Sequence, residues 1–396
     1  VKTVWIVGVG TGPDTLTREA ARAVETAQVL FGAPRLLAAY APDGAPQEPL
    51  YTPETIAPVV AASGCDRFAV LVSGDTGFYS AALRLCAELT GCEIKVLPGV
   101  SSLNCFFARI ARPWQNAALV SCHGRGANLV DTVRRNAETF ALTGGNVPQL
   151  AAALCDAGFG DLTATVGQEL GLPGERIDRM SVRALARAEI SPLSVLLIDN
   201  PAPDARARTG IPDGEFIRGD VPMTKSPVRA VTMSRLAVRP EDLCFDIGAG
   251  TGSVTVEMAL AAYRGHVWAI DKNPEAVSLT RKNCAAFHLG NVTALHAGAL
   301  EALGELPAPD AVFLGGSGGG MRQLVDLVLS KNPNARIVAN AIALESAQAA
   351  LEALEAHGLE TELLQIGTGI GRRVAGLHMM TAQNPIFIVT GGPSHE

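Results

Sequence analysis

One short segment restricts the possible folds more than any other: Asp246-Ile-Gly248-Ala249-Gly250-Thr251-Gly252, directly after the apolar run Leu243–Phe245 and before a helix-like stretch. Glycines at that spacing allow a tight strand-to-helix turn and let a ligand approach the backbone, with the helix N-terminal amides facing it. Nineteen residues after Gly252 comes Asp271, at the close of a second apolar run, His266–Ile270. An acidic side chain there is placed to accept hydrogen bonds from ribose hydroxyls. A dinucleotide site uses G-x-G-x-x-G; the spacing here is G-x-G-x-G with a preceding aspartate, so a nucleotide-type ligand other than NAD is expected.

The surrounding chain alternates short β-rich runs with longer alanine- and leucine-rich stretches. Strands are expected at Val4–Val7, Phe68–Val72, Ile94–Leu97, Ala118–Ser121 and Val195–Ile198, then at Cys244–Ile247, His266–Ile270, Val292–His296, Ala311–Leu314, Arg336–Ala339 and Ile386–Thr390. Helices are expected at Arg18–Ala27, Ala81–Leu89, Val147–Ala157, Thr224–Leu236 and Thr255–Tyr263. That rhythm predicts α/β layers. Between residues 199 and 227 five prolines and little periodicity read as a linker and a leading loop, which divides the 396 residues into domains 1–203 and 204–396.

Composition removes several function classes. With 32 basic and 39 acidic residues the net charge is -7, and neither half is basic, so a nucleic-acid partner is disfavoured. No apolar run approaches the ~20 residues that span a bilayer. The beginning, VKTVWIVGVG, reads as a strand entering a glycine turn and lacks the pattern of a signal peptide. The eight cysteines form no C-x-x-C pair and read as free thiols of a reducing cytoplasm. Scattered histidines without ligand spacing predict no metal site. A soluble, cytoplasmic protein without a membrane partner is expected.

The order D-x-G-x-G-x-G resembles the class I S-adenosyl-L-methionine methyltransferases. Four further segments narrow the resemblance to CbiT-type precorrin methyltransferases: PMTKSPVRAVTMSRL, GGSGGGM, VANAIALES and GLHMMTAQNPIFIVT, over about residues 220–390. The resemblance implies that Thr224 and the loop Gly248–Gly252, with Asp246 before it, contact the cofactor, that Asp271 holds its ribose, and that Ala299 lines its adenine slot. Residues 315–320 would flank the transferable methyl. Thr224 reads equally well as the N-cap of the helix that follows.

The first half carries a different set: GVGTGPDTLT from Gly8, FGAPRLL (Phe31–Leu37), SGDTGFYSAA from Ser73, LPGVSSLNCFFARIARPWQNAALVSCHGR (Leu97–Arg125) and ALTGGNVPQL (Ala141–Leu150). Together these resemble the tetrapyrrole methylases, class III S-adenosyl-L-methionine enzymes, in their CbiE branch. The implied fold has two α/β lobes with the cofactor in the cleft between them. Gly10, Gly74, Asp75 and Thr76 would cradle it, with Ser101, Ser102 and Thr143 nearby. Asp75 is also suited to stabilising a turn. The family's opening loop is usually G-x-G-P-G; Thr11 stands at the proline position here.

The fold expected is therefore α/β, a two-lobed tetrapyrrole methylase domain followed by a Rossmann-like class I methyltransferase domain. Joined in that order the halves resemble the decarboxylating precorrin-6Y C5,15-methyltransferases. That family implies one S-adenosyl-L-methionine per domain, precorrin-6B as the small-molecule substrate, and a homo-oligomer. Methyl transfer from a sulfonium to a ring carbon needs alignment more than covalent catalysis, and no Ser-His-Asp or Cys-His set is apparent. Catalytic residues are not assigned. A substrate rich in carboxylates needs local arginines, of which Arg229, Arg235, Arg372 and Arg373 in the second half and Arg109, Arg112 and Arg125 in the first are candidates. His123 is a further candidate. Arg372 and Arg373 follow the turn GTGIG and are favoured.

Overall fold

A computed structural model describes residues 1–123, 127–204, 209–316 and 319–393. The chain divides into two compact units. Unit 1 comprises Val1–Leu129, Asn136–Ala152 and Asp161–Ala202; unit 2 comprises Val130–Arg135, Ala153–Gly160 and Pro203–Glu396.

Unit 1 contains two five-stranded sheets. The first is built from β1 (Thr3–Gly8), β2 (Val29–Gly32), β3 (Gln47–Glu48), β4 (Arg67–Val72) and β5 (Glu93–Leu97) in the order β3-β2-β4-β1-β5, all parallel. Parallel sheets are covered on both faces, so their strands read as unbroken apolar runs. Alternate residues serve the two faces: Val4, Ile6, Phe68 and Val70 meet Ile56, Val60 and Leu85 on one side, while Val7, Ala69 and Leu71 meet Ala20, Val24 and Leu37 on the other. The second sheet, β6 (Ala118–Ser121), β7 (Glu138–Leu142), β8 (Thr163–Gln168), β9 (Arg176–Ser181) and β10 (Ser194–Asp199), runs β6-β7-β10-β8-β9 and is parallel only at β6–β7. Phe106, Phe107 and Phe140 form its aromatic core, with ring centroids 5.5 to 5.7 Å apart.

Unit 2 is a seven-stranded sheet of β11 (Leu243–Ile247), β12 (His266–Asp271), β13 (Val292–His296), β14 (Ala311–Leu314), β15 (Arg336–Ala341), β16 (Glu360–Ile366) and β19 (Ile386–Gly392). A separate hairpin joins β17 (Gly369–Val374) to β18 (Leu377–Ala382). The sheet order is β13-β12-β11-β14-β15-β19-β16, with β19 antiparallel to both neighbours. A dinucleotide-binding Rossmann sheet runs 3-2-1-4-5-6; the reversed strand inserted before the last position distinguishes this one. Strand alternation again builds two cores, Phe245, Ile247, Val312 and Leu314 on one face and Cys244, Val267, Ala311 and Phe313 on the other.

The proline-rich segment that reads as a linker is in part core. Ile211, Phe216 and Val221 are buried against unit 2, so residues 209–225 are a strap across that unit. The hairpin turn Ala375-Gly376 has positive φ at both residues (49° and 86°), as a two-residue turn between twisted strands requires. No helix among the described residues is long and apolar enough to cross a membrane.

Candidate functional site

In unit 2 the expected site residues gather at the carboxyl ends of β11 and β12. Gly248, Gly250 and Gly252 have φ of 78°, 57° and 77°, a region that strains any residue with a Cβ. Space is as restrictive as the dihedral: a Cβ on Gly250 would lie 2.5 Å from the Pro222 carbonyl oxygen, and one on Gly248 2.9 Å from the Gly316 nitrogen. Asp271 fixes the loop by accepting from the Gly250 amide at 3.0 Å and the Asn273 amide at 2.8 Å. The strap holds the loop from its other side, the Pro222 carbonyl accepting from the Thr251 amide at 3.3 Å.

Asp246 is fully buried at the end of β11, where one carboxylate oxygen accepts from the Thr255 hydroxyl. Burial pushes its pKa up to about 7 against the Thr255 bonds that lower it, and the Asp271 charge adds to the rise. Its Oδ1 and the Thr251 Oγ1 are buried without a hydrogen-bond partner. Buried polar atoms are normally satisfied; two orphans, one on a glycine loop held open by backbone contacts and one at its base, fit a polar ligand. Ala299 opens the Ala299–Glu305 helix and borders a shallow depression of about 580 Å³ shared with Gly298, Gly319, Gly320 and Gln323. Gly315 and Gly316 are exposed at the end of β14; Ser317 and Gly318 lie outside the described residues.

Thr224 is not the helix cap. The N-cap of Ser226–Leu236 is Lys225, which makes no side-chain cap bond. Thr224 instead anchors the strap through its carbonyl, which accepts from Arg229 Nη1 at 2.5 Å and the Ser253 hydroxyl at 3.5 Å.

Arg229 is the clearest departure from the sequence reading. Expected to meet substrate carboxylates, it is 0% exposed and its donors are spent inside the fold. Nε donates to Glu257 at 2.6 Å, Nη1 also to Asp213 at 3.4 Å, and Nη2 to the Ile211 carbonyl. The Phe216 ring lies 4.7 Å from its guanidinium carbon. Glu257, equally buried, accepts in addition from the amides of Gly210 and Ile211. The pair pins the strap to the Ser226–Leu236 and Ser253–Ala261 helices and has no face left for a substrate. Three other arginine candidates are ion-paired: Arg235 to Glu362, Arg109 to Glu175, and Arg112 to Asp199 and Glu138. Arg372 and Arg373 carry no ion pair among the described residues and sit on the β17–β18 hairpin, every residue of whose strands is exposed.

The sequence reading missed Asn283. Fully buried on the Pro274–Ala286 helix, it accepts from the Ile217 amide and donates to the carbonyls of Ile217 (3.0 Å) and Thr251 (2.8 Å), joining strap and glycine loop. Its only sequence signal is an amide on the inward face of an otherwise amphipathic helix.

In unit 1 the carboxyl ends of β1, β4 and β5 converge. Gly10 and Gly74 form an isolated bridge, each amide donating to the other's carbonyl (3.1 and 2.9 Å). The main chains at Gly8, Gly74 and Gly99 touch: a Cβ on Gly99 would lie 2.2 Å from the Gly74 oxygen and 2.6 Å from that of Gly8. Asp75 serves the turn, accepting from the Gly77 amide at 2.8 Å, and also binds the Gly99 amide at 3.1 Å. Thr76 is half-buried beside it. Ser101 caps the Ser102–Arg109 helix by accepting from the Asn104 amide at 3.1 Å, and Ser102 is its first residue. Phe78 carries this loop to the second sheet, 6.4 Å from Phe140. There Thr143 is buried, donating to the Ser194 carbonyl at 2.6 Å. His123 is exposed next to Gly144; Arg125 lies outside the described residues. Thr11 leaves a buried, unpartnered Oγ1 against Gly171.

Both halves match known families. Residues 3–186 match the model of the tetrapyrrole (corrin/porphyrin) methylases, and residues 215–390 that of the precorrin methyltransferase domain. With the two folds, these matches define a methyltransferase of two modules. The chain is 33% identical over 352 residues to the precorrin-6Y C(5,15)-methyltransferase [decarboxylating] of Sinorhizobium sp, covering 85% of this chain and 84% of that protein. It therefore belongs to the family of decarboxylating precorrin-6Y C5,15-methyltransferases. A probable cobalt-precorrin-6B C(15)-methyltransferase (decarboxylating) of Pyrobaculum aerophilum is 42% identical over 188 residues, 46% of this chain and 96% of that one. The crystal structure of a Geobacter metallireducens GS-15 precorrin-6Y C5,15-methyltransferase is 36% identical, covers 47% of this chain and 97% of that one, and has a TM-score of 0.45.

Proposed function

We propose that this chain methylates precorrin-6B at C5 and C15 and removes CO2 from the acetate of ring C, giving precorrin-8 in cobalamin biosynthesis, with one S-adenosyl-L-methionine held in each unit. The observation that carries this reading is the extent of the Sinorhizobium match, which at 85% of the chain takes in both modules. The archaeal relative named for C15 methylation and decarboxylation spans only 46% of this chain, so those two activities fit within a single module. We assign them to unit 2 and the C5 methylation to unit 1.

Bound cofactor supplies an already activated methyl on sulfur. The residues' part is to bind and orient. In unit 2 the amides of Gly248–Gly252, the orphaned oxygens of Asp246 and Thr251, the Thr224 strap and Ala299 would hold the cofactor, with Asp271 at the ribose. In unit 1 the loops of Gly10, Gly74–Thr76 and Ser101–Ser102, with Thr143, would do so. Methylation at C15 leaves an electron-poor ring system next to the acetate, which can accept the electron pair released as CO2 departs. No protein nucleophile is needed for either step.

Mass spectrometry of the product from precorrin-6B tests the proposal: two methyl gains and one CO2 loss are expected, and a single methyl gain would refute it. Titration with S-adenosylhomocysteine should give two sites per chain; one site would point instead to a unit 1 that serves only as a binding or assembly module, its opening loop altered by Thr11 at the family's proline position. The archaeal relative's name makes the cobalt-containing precorrin the second substrate to assay.

We also place the chain in a reducing cytoplasm, since all eight cysteines are free thiols, and assign it a homo-oligomeric state. Leu377, Met379 and Met380 on the hairpin are 58 to 72% exposed, an apolar surface suited to contact between copies. Sedimentation at micromolar concentration tests this, a monomer being the refuting result.

A further inference from the structure

The carboxyl end of β15 presents two large apolar side chains to solvent, Ile342 at 68% and Leu344 at 60% exposure. Neither Ile342, just before the Leu344–Glu355 helix, nor Leu344, its first residue, is needed to seat it, because the helix buries Ala347, Ala350, Ala353 and Leu354 instead. Their location is specific. β14 and β15 run side by side with Leu314 opposite Ala339, and β15 continues to Ala341 against β19, so Gly315–Gly316 and Ile342 follow the carboxyl ends of two adjacent strands. Gly316 in turn lies against Gly248 of the glycine loop. A Cβ on Gly316 would meet nothing within 4 Å, which leaves that side of the row open.

The row from glycine loop to Gly316 to Ile342 thus runs along the carboxyl edge of the sheet, where open α/β sheets bind their ligands. Its far end is rigid. Asn340 exchanges hydrogen bonds of 2.9 and 3.2 Å with the Thr232 hydroxyl, and Thr232 is itself fully buried. A tetrapyrrole is a disc with apolar faces and a rim of carboxylates. Its face gains by leaving water against aliphatic side chains, while its rim stays hydrated.

We infer that Ile342 and Leu344 form an apolar ledge that carries the flat face of the tetrapyrrole acceptor beside the cofactor loop of unit 2. The inference rests on the assignment of that loop to S-adenosyl-L-methionine. These are positioning residues: they hold the acceptor carbon in line with the donor and take no part in bond making.

The test compares the full chain with Ile342→Ser/Leu344→Ser and with Ile342→Leu/Leu344→Met. The expected result is a KM for precorrin-6B, read by CO2 release, that rises about tenfold or more in the serine variant. The Kd for S-adenosylhomocysteine should stay unchanged, and the conservative variant should keep the parental KM. An unchanged KM in the serine variant overturns the ledge. So does a KM rise accompanied by a lower sedimentation coefficient, which would make the patch a contact between copies. If the parent chain released no CO2 or bound no S-adenosylhomocysteine in unit 2, the functional reading would fail first and the ledge with it.

Discussion

Replacing Arg229 by methionine tests the claim that this arginine is a rivet of the fold. Methionine keeps the apolar stem and removes the charge. Glu257 would remain buried with only the Gly210 and Ile211 amides at 3.0 and 2.9 Å, while the carbonyls of Ile211 and Thr224 would lose their guanidinium donor. Removing one partner of a buried ion pair costs about 3–5 kcal/mol, and each lost hydrogen bond about 1 kcal/mol. These contributions overlap, so the expected loss in unit 2 is about 4 kcal/mol. Neutralising the stranded carboxylate with Glu257→Gln in the same chain should recover about 1–2 kcal/mol.

Because two units unfold in one chain, a single global transition would mislead. The three tryptophans are Trp5, Trp114 and Trp268. Only Trp268 lies in the sheet of unit 2, edge-on to Phe245 at 5.6 Å. In a Trp5→Phe/Trp114→Phe background its fluorescence reports the urea unfolding of that unit alone. A loss below about 1 kcal/mol would refute the reasoning, since it would place Arg229 in the range of solvated surface pairs. If the strap matters to the cofactor, the Arg229→Met chain should also bind S-adenosylhomocysteine more weakly in unit 2, through the loosened Thr224.

Three further outcomes are expected. Asp246 has a folded-state pKa raised from 3.8 to about 7, so the folded chain retains a proton that the unfolded chain has lost. Its contribution to stability is therefore full below the unfolded value and declines as pH rises through the interval to about 7; Asp246→Asn should flatten that decline in the Trp268 readout, and an unchanged slope would contradict the assignment. Gly250→Ala places a methyl 2.5 Å from the Pro222 oxygen at a φ of 57°, and should remove one of two S-adenosylhomocysteine sites in a calorimetric titration while leaving the other intact. Lys2 donates to the carbonyls of Val60, Ala61 and Ser63 at 2.6, 2.8 and 2.7 Å, closing the end of the Pro53–Ala62 helix; Lys2→Met should destabilise unit 1 by about 1–2 kcal/mol in a chain with Trp5 as reporter.

What the sequence disclosed and what it hid follow from the same physics. Every strand expected from an apolar run is present: the central ones are covered on both faces and must be apolar throughout, and the edge strands β5, β6 and β13 keep enough aliphatic and β-branched residues to read as runs although they are partly exposed. β8 (TATVGQ) and β9 (RIDRMS) escaped notice: the first is built of small residues, and the second is an edge strand with charges facing out. The glycine loop and Asp271 were legible because their geometry depends on backbone conformation, which residue type reveals directly. Arg229 was not. A guanidinium suits a substrate carboxylate and a buried Glu257 equally well, and only the packing of the strap decides between them. The strap was misread for a related reason, since Ile211, Phe216 and Val221 fall five residues apart and match no regular period.

The placement of β19 bears on the order in which unit 2 can assemble. Among the described residues β16 pairs with the sheet through β19 alone, all seven of its residues being matched to that strand, yet a ribosome makes β16 first and the hairpin second. Until β19 is synthesised and slots in beside β15, β16 is a stranded edge and the hairpin a loose arm. Completion of the sheet thus waits on a late threading event, and a chaperone or a co-translational trap would find its target in that interval.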